Sequence, residues 1–294
     1  MSTETGTLLT GRDIRELAAA AGIHPSKQRG QNFLTDPNTV RSLVERAGIS
    51  PGDSICEVGP GLGSLTLGLL DAGAGVLAIE IDRAAAELLP RTVEARGADP
   101  DGQHFRLLHA DALAVTELPP VPATGVPAQL VANLPYNVAT PILLTMLQRF
   151  ETLTAAFIMV QSEVAERLVA TSGSKVYGAP SVKLAWYGTA ERAGGVSRAV
   201  FWPVPHVDSS LVRITRHDRP LGAETERAAC FRLIDAAFAQ RRKTLRAALA
   251  PALGGGAHAE EVLQAADIDP RRRGETLEIH EFRALAASAE SVVA

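Results

Sequence analysis

Short apolar runs alternate with helical stretches along most of the chain, and no other feature constrains the fold as strongly. Buried strands of a parallel sheet consist of such runs, because helices cover both faces of the sheet. The alternation therefore predicts an α/β fold with a parallel sheet. The predicted strands are Ser54–Val58, Gly75–Ile81, Phe105–Ala110, Gln129–Ala132 and Phe157–Gln161, and Ala185–Thr189 and Ser210–Thr215 are candidates for two more.

Helices are predicted on both sides of this region. Gly11–Ala21 has helical character, and Asp36-Pro37 supplies a cap and a first-turn proline for a helix over residues 37–47. After Arg213 no further strands are predicted, and we expect a small helical domain to begin near residue 217. Its predicted helices are Glu224–Leu249 and Glu260–Ala266.

The composition excludes several classes of protein. Cys56 and Cys230 lack a CxxC partner or a histidine cluster, so neither a disulfide framework nor a metal site is expected. The N-terminus lacks the features of a signal peptide, and no apolar stretch is long enough to span a membrane. We therefore expect a cytoplasmic protein without a membrane partner. The net charge of −4 argues against indiscriminate nucleic-acid binding.

A glycine-rich turn, residues 59–64 (GPGLGS), follows the first predicted strand and leads into a helix. Glycines there let the backbone approach a ligand closely. Ser64 stands where a dinucleotide-binding motif needs its third glycine, and Glu57 precedes the turn. A carboxylate repels a pyrophosphate but favours the ammonium and sulfonium groups of S-adenosylmethionine. The turn thus predicts an S-adenosylmethionine site; its alternative is a plain connection between strand and helix.

Carboxylates follow the second and third predicted strands. Glu80 lies where such folds bind ribose hydroxyls, and Asp82 is the second choice. Asp111 ends the third strand and is expected to accept a hydrogen bond from the cofactor's adenine amine. Each carboxylate alone is as typical of a helix cap, but their position at successive strand ends favours a cofactor site.

Asn133-Leu134-Pro135-Tyr136 follows the fourth predicted strand and points to methyl transfer onto an aromatic amine. Such an amine is a poor nucleophile, because its lone pair is delocalised into the ring. The Asn133 side-chain oxygen and the Leu134 carbonyl are acceptors that favour a tetrahedral amine and its developing positive charge. Tyr136 offers a stacking surface for a flipped base, and Phe201 is a candidate for the opposite wall. The alternatives are a turn with a buried tyrosine and, for Phe201, core packing.

Six segments stand together in a fixed order and spacing. They are Gln31-Asn32-Phe33-Leu34, EVGPGLGSLT (57–66), NLPY (133–136), QSEVAERL (161–168), FWPVPHVDSS (201–210) and FAQRRKTLR (238–246). In these segments, and over about residues 25–285, the chain resembles the ribosomal RNA adenine dimethyltransferases that modify the small subunit. The resemblance implies a Rossmann-like class I S-adenosylmethionine methyltransferase domain at 1–216, with an N-terminal extension at 1–25, and a small C-terminal α-helical domain at 217–294.

The resemblance also assigns residues. Its cofactor contacts fall on Asn32, Leu34, Gly59, Glu80, Asp111 and Asn133, and Gly61 belongs to the same glycine turn. Its target-base pocket falls on Asn133, Leu134, Tyr136 and Phe201. In the helical domain it makes Arg241, Arg242, Lys243 and Arg246 candidates for RNA binding.

The activity implied by the resemblance is dimethylation of two adjacent adenines in the 3′-terminal hairpin of 16S rRNA. The implied partner is the small ribosomal subunit, and the chain is expected to be a monomer. Ala247 departs from the asparagine expected after residues 243–246, and the N-terminal extension has no assigned role.

Two other functions share parts of this pattern. A large-subunit rRNA methylase that confers antibiotic resistance would share the glycine turn, but residues 201–210 and 240–246 favour the small-subunit enzyme. A ribosome-assembly factor would need only the fold, and the intact Asn133, Tyr136 and Glu80 argue against lost catalysis. An oxidoreductase is least favoured, since hydride transfer has no use for residues 133–136.

Overall fold

The chain divides into two compact units. A sheet unit holds Met1–Ala165 and Glu191–Thr215, and a helical unit holds Glu166–Ala190 and Arg216–Ala294. The computed structural model describes residues 7–24 and 32–293. Residues 1–6 and 25 of the predicted extension, and Gln31 of the first motif, lie outside the described residues.

The main sheet has seven strands in the order β4-β3-β2-β5-β6-β9-β7, and β1 pairs with β8 in a separate two-stranded sheet. Strands β2 to β6 are parallel, and β9 runs antiparallel to β6. The strands are β1 (Phe33–Leu34), β2 (Ser54–Val58), β3 (Gly75–Glu80), β4 (Phe105–His109), β5 (Gln129–Asn133), β6 (Ala155–Gln161), β7 (Gly188–Val196), β8 (Phe201–Trp202) and β9 (Ser209–Arg216).

Strand β2 lies where the strand order reverses. Its parallel neighbours are β3, where Val58 pairs with Ile79, and β5, where Ile55 pairs with Gln129. All residues of β2 and β3 are buried, as expected for strands covered on both faces. A reversal of this kind leaves a crevice at the carboxyl ends of the two central strands. It places the end of β5, Asn133, next to the turn that follows β2.

The helix that begins at Pro37 starts where its capping residues predict. Asp36 accepts a hydrogen bond from the Thr39 amide, and Pro37 occupies the first turn, which confirms the predicted helix entry. The helices of the sheet unit are α1 (Gly11–Ala20), α2 (Pro37–Ala47), α3 (Ser64–Asp71), α4 (Arg83–Ala95), α5 (Ala139–Arg149) and α6 (Ser162–Leu168), whose last residues belong to the helical unit.

The helical unit consists of α7 (Ala179–Tyr187), α8 (Glu224–Ala239), α9 (Leu245–Leu249), α10 (Gly256–Ala265) and α11 (Ile279–Val293). Its boundary at Arg216 lies next to the predicted start near residue 217. The sequence assigned residues 166–190 to the first domain, whereas the structure groups them with the C-terminal helices. The reason is packing, because Trp186 and Tyr187 of α7 both meet the Phe231 ring of α8 edge-on.

Two secondary-structure predictions were wrong in this unit. The helix predicted over Glu224–Leu249 is interrupted after Ala239, because the amides of Leu245 and Arg246 donate to the carbonyls of Arg272 and Pro270 instead of continuing one helix. The strand predicted over Ala185–Thr189 is the end of α7 and the start of β7. Helix α10 also begins earlier than its predicted start at Glu260, and α11 was not predicted.

Among the described residues, no helix combines the length and the apolar character needed to cross a membrane.

Candidate active site

A cavity of about 1060 Å³ opens at the carboxyl ends of β2, β3 and β5. Its volume is at the upper end of the range found for small-molecule and cofactor sites. Most of the predicted site residues line it, namely Asn32, Leu34, Gly59, Gly61, Glu80, Asn133, Leu134 and Tyr136. The fold thus brings together residues that the sequence places in four separate segments.

The glycine turn is built for close approach of its backbone to a ligand. Gly61 has φ +58°, and a Cβ placed there would lie 2.9 Å from Cε1 of Phe33. Both the left-handed backbone and the adjacent ring therefore exclude a side chain. The Gly61 amide donates to Oε2 of Glu80 over 3.0 Å, which ties the turn to the end of β3.

Glu80 is a buried carboxylate held by backbone amides. Besides the Gly61 bond, its Oε1 accepts from the Asp82 amide over 2.8 Å. Burial raises the Glu80 pKa, while these amides oppose the rise. A carboxylate oxygen can accept more than one hydrogen bond, so Glu80 retains acceptor capacity for a ligand hydroxyl. Asp82 lines the cavity too, but its side chain caps α4 at the amides of Ala84 and Ala85.

Glu57, the last residue but one of β2, lines the cavity and is buried. Its side chain accepts from the Thr66 hydroxyl over 2.6 Å. Burial raises the Glu57 pKa to about 8, helped by the charge of nearby Glu80 and opposed by the Thr66 bond. The carboxyl is therefore mostly protonated at neutral pH, and a cationic ligand nearby would favour its ionised form.

Asn133 is oriented by a hydrogen bond. Its Nδ2 donates to the backbone carbonyl of Asn32 over 3.2 Å. A carbonyl only accepts, so the bond defines which end of the amide is NH₂ and leaves Oδ1 as the side-chain acceptor. The Leu134 amide donates to the Met159 carbonyl of β6, which fixes the chain just beyond Asn133. Asn133 thus presents one preorganised side-chain acceptor at the end of β5.

Tyr136 is anchored by a residue that the sequence did not single out. Its hydroxyl lies 2.9 Å from Oγ of Ser209, the buried first residue of β9. Burial raises the Tyr136 pKa, against the effect of the Ser209 bond. The only sequence signal for Ser209 is its place within the 201–210 motif. The bond holds the phenol in place at the cavity wall.

Phe201 and Asp111 are not among the residues that line the cavity. Phe201 is 2% exposed and lies in the core, with β8 pairing Phe201 to Leu34 of β1. Asp111 is exposed and its Oδ1 accepts from the Leu113 amide, a local capping bond. Their assigned contacts to base and cofactor stay predictions.

The N-terminal segment contributes to the cavity wall, although the sequence assigned it no role. Gly22, Ile23 and His24 all line the cavity. No local pattern identifies them as site residues, because their position depends on where α1 packs.

The four candidate RNA-binding residues of the helical unit differ in their contacts. The Arg241 guanidinium donates to Glu275 over 2.8 Å and to the Lys175 carbonyl over 2.7 Å. Arg246 forms an ion pair with Glu260 over 2.8 Å. Arg242 and Lys243 are exposed, and within the described part of the chain neither side chain has a hydrogen-bonded or ion-paired partner. The structure thus leaves Arg242 and Lys243 as the unengaged cations of this set.

One group of possible metal ligands, Asp99, Asp101 and His104, occurs among the described residues. It lies away from the cavity-lining set, and the Asp99 carboxylate already accepts from the amides of Gln103, His104 and Phe105. These hydrogen bonds order the loop, and this structural role explains the cluster.

The fold resembles those of two solved RNA-modifying enzymes. A dimethyladenosine transferase from Plasmodium falciparum has TM-score 0.71 and 21% identity, covering 86% of this chain and 95% of that one. The 23S rRNA methyltransferase ErmE has TM-score 0.62 and 23% identity, covering 88% and 99%. These likenesses show the fold, a Rossmann-like α/β domain with a helical C-terminal part, and confirm the predicted fold class.

Sequence comparisons identify the protein family. Residues 24–285 match the family model described as ribosomal RNA adenine dimethylase. The ribosomal RNA small subunit methyltransferase A of Streptomyces griseus is 55% identical over 285 residues, which cover 97% of this chain and 96% of that protein. The chain belongs to the ribosomal RNA adenine dimethylase family.

Proposed function

We propose that this protein dimethylates N6 of two adjacent adenines in the 3′-terminal hairpin of 16S rRNA, within the small ribosomal subunit, and so acts in subunit maturation. The observation that carries the proposal is the single cavity that joins the glycine turn and Glu80 to Asn133 and Tyr136. The name of the Streptomyces griseus relative, a small subunit methyltransferase, supports this choice of substrate.

The residues present fit S-adenosylmethionine. The Gly61 position leaves no room for a Cβ beside Phe33, so the turn approaches a ligand as bare backbone. Glu80 supplies acceptors for ribose hydroxyls, and Glu57 supplies a carboxyl near the cationic end. When bound, the cofactor supplies an activated methyl group on its sulfonium centre.

The chemistry assigned to the chain is acceptance of hydrogen bonds from the target amine. Oδ1 of Asn133 and the Leu134 carbonyl pull the N–H groups toward tetrahedral geometry and stabilise the positive charge that develops on nitrogen. No strong base is needed, because an N–H proton on a nitrogen that carries four groups is acidic and passes to solvent water. A second transfer to the same nitrogen requires space beside the amine for the methyl group already added.

Base binding in this proposal depends on Tyr136, whose ring stacks against the flipped adenine. Pro135 contributes by packing against the turn, since a Cβ placed on Gly59 would lie 3.6 Å from its ring carbons. Phe201 is proposed as the opposite wall, which requires a rearrangement of β8 when RNA binds.

The helical unit is proposed to bind the ribosomal subunit. Among the four candidate residues, Arg242 and Lys243 are exposed and unengaged, which suits them to phosphate contacts. Arg241 and Arg246 instead stabilise the surface that carries them. We expect the protein to act as a monomer and, because its substrate is a ribosomal subunit, in the cytoplasm.

The test is methyl transfer to purified subunits. Small and large subunits from a strain lacking the 16S modification are incubated separately with the protein and labelled S-adenosylmethionine, and the rRNA nucleosides are separated. We expect N6,N6-dimethyladenosine in the small-subunit RNA alone. Label confined to large subunits would favour the resistance-methylase alternative, and subunit binding without any label would favour an assembly factor.

A further inference from the structure

The N-terminal segment, residues 7–24, contains α1, and hydrogen-bonded caps define both ends of this helix. Thr10 and Asp13 form a capping box, in which the Thr10 amide donates to Oδ2 of Asp13 over 2.7 Å. At the other end, Gly22 has φ +64°, and the Ile23 amide donates to the Ala18 carbonyl over 2.8 Å. This is a Schellman ending, which fixes the direction in which the chain leaves the helix.

The same segment is packed into the sheet unit. Leu8, Leu9, Ile14, Ala18 and Ile23 are buried members of its core. Burial of these aliphatic side chains stabilises the packed position of the segment, because each removes apolar surface from water. Residues Gly22–His24, at the C-terminal end of the segment, line the cavity.

A polar contact holds α1 to α4. Nη2 of Arg96, just after α4, lies 2.8 Å from Oδ1 of Asp13, with side chains only 12% and 22% exposed. Nη1 of Arg96 also donates to the Leu8 carbonyl over 3.4 Å. Burial disfavours the charge on Asp13, but its bonds from Thr10 and Arg96 outweigh this effect and lower the Asp13 pKa. Arg96 therefore contacts both the helix and the residues before it.

We propose that Arg96 is a positioning residue for cofactor binding, because it holds α1 in the place from which Gly22–His24 complete the cavity wall. The inference rests on the proposed function in taking this cavity as the S-adenosylmethionine site. Ligand binding costs less free energy when the cavity wall is already ordered than when the ligand must order it. Loosening it lowers the fraction of binding-competent molecules and weakens apparent affinity in proportion.

The test compares Arg96→Met, which keeps an unbranched side chain without the charge, with Arg96→Lys, which keeps the cation. Arg12→Met is the matched control, since Arg12 pairs with Glu16 on the exposed side of the same helix. Binding of S-adenosylmethionine is measured by calorimetry without RNA, and KM and kcat are measured with small subunits. We expect Arg96→Met to raise Kd and KM for the cofactor about tenfold with kcat unchanged, Arg96→Lys to recover part of the loss, and Arg12→Met to match the unmodified protein.

Equal cofactor affinity in Arg96→Met and Arg12→Met would overturn the proposal, whatever their melting temperatures. Hydrogen exchange on the unmodified chain covers the case in which Arg96→Met does not fold. S-adenosylhomocysteine should slow exchange at Gly22–His24, and unchanged exchange there would also overturn the proposal. Because the binding measurements need no RNA, a failure to methylate 16S rRNA would reject the proposed function and leave this result standing.

Discussion

The side-chain amide of Asn133 donates a hydrogen bond to the backbone carbonyl of Asn32, with the two atoms 3.2 Å apart. One bond thereby joins the end of β5 to the segment before β1, and both residues line the same cavity. It also defines Oδ1 of Asn133 as the side-chain acceptor. The proposed chemistry depends on that assignment.

Asn133→Ala removes this acceptor, so we expect kcat to fall by about 10²–10³, the usual effect of losing one preorganised polar group at a reacting centre. Asn38→Ala is the control, because Asn38 is a surface residue of α2 that accepts from Arg41. Single-turnover methylation of small subunits measures both. An Asn133→Ala rate within about threefold of the unmodified enzyme would reject the catalytic role.

Tyr136 is expected to act mainly through its ring. Stacking of a base on an aromatic side chain contributes about 1–3 kcal/mol, so Tyr136→Ala should raise KM for the subunit by roughly tenfold or more. Tyr136→Phe keeps the ring and loses only the bond to Ser209, which should cost about 1 kcal/mol. Steady-state kinetics with varied subunit concentration separates the two. Equal losses in both variants would mean that the hydroxyl, not the ring, is decisive.

The folded-state pKa of Glu57, about 8, lies above the ordinary value of 4.5. Between these values the unfolded chain releases the proton while the folded protein keeps it, so this group makes stability fall as pH rises. Its stabilising effect is complete below about pH 4.5 and is lost as pH passes 8. Glu57→Gln mimics the protonated acid and should lessen that fall. Chemical denaturation at pH 5, 6.5 and 8 measures the free energy of unfolding of both proteins without cofactor. The same pH dependence in the two proteins would contradict a raised pKa of Glu57.

Arg242→Ala combined with Lys243→Ala should weaken subunit binding. The slope of log affinity against log salt concentration should become shallower by the amount expected for loss of about two phosphate contacts. Cofactor affinity should not change, since neither residue lines the cavity. Arg232→Ala, an exposed cation of α8, is the control. Filter binding at several salt concentrations gives the slope. A double variant with an unaltered slope would show that these cations do not touch RNA.

Arg241→Ala should behave differently from its neighbours. Its guanidinium joins Glu275 to the carbonyls of Ser174 and Lys175 inside the helical unit. Losing these bonds should lower stability by about 1–3 kcal/mol, with a weaker effect on RNA binding than the Arg242 and Lys243 change. Thermal unfolding followed beside subunit binding distinguishes the two effects. A stable variant with lost binding would make Arg241 an RNA contact.

The parts of the site that could be predicted from sequence have local causes. Buried strands carry a continuous apolar pattern, and the turn after β2 needs glycine for its backbone angles, so both are visible in short segments. Glu80 and Asn133 follow from the rule that parallel strands end at one edge of the sheet.

The rest depended on contacts between distant parts of the chain. Phe201 lies in the core because β8 pairs with β1, and no pattern near residue 201 indicates that pairing. The break after Ala239 arises from carbonyls at Pro270 and Arg272. Gly22–His24 line the cavity because α1, which precedes them, packs into the core of the sheet unit through residues far apart in the sequence.

The most direct test of the central claim is the nucleoside content of 16S rRNA from cells lacking this protein. Mass spectrometry of the 3′-terminal fragment is carried out after complementation with the unmodified gene or with Asn133→Ala. Dimethylation at two adjacent adenines should be absent in the deletion, restored by the unmodified gene and almost absent with Asn133→Ala. Full dimethylation in the deletion strain would contradict the account.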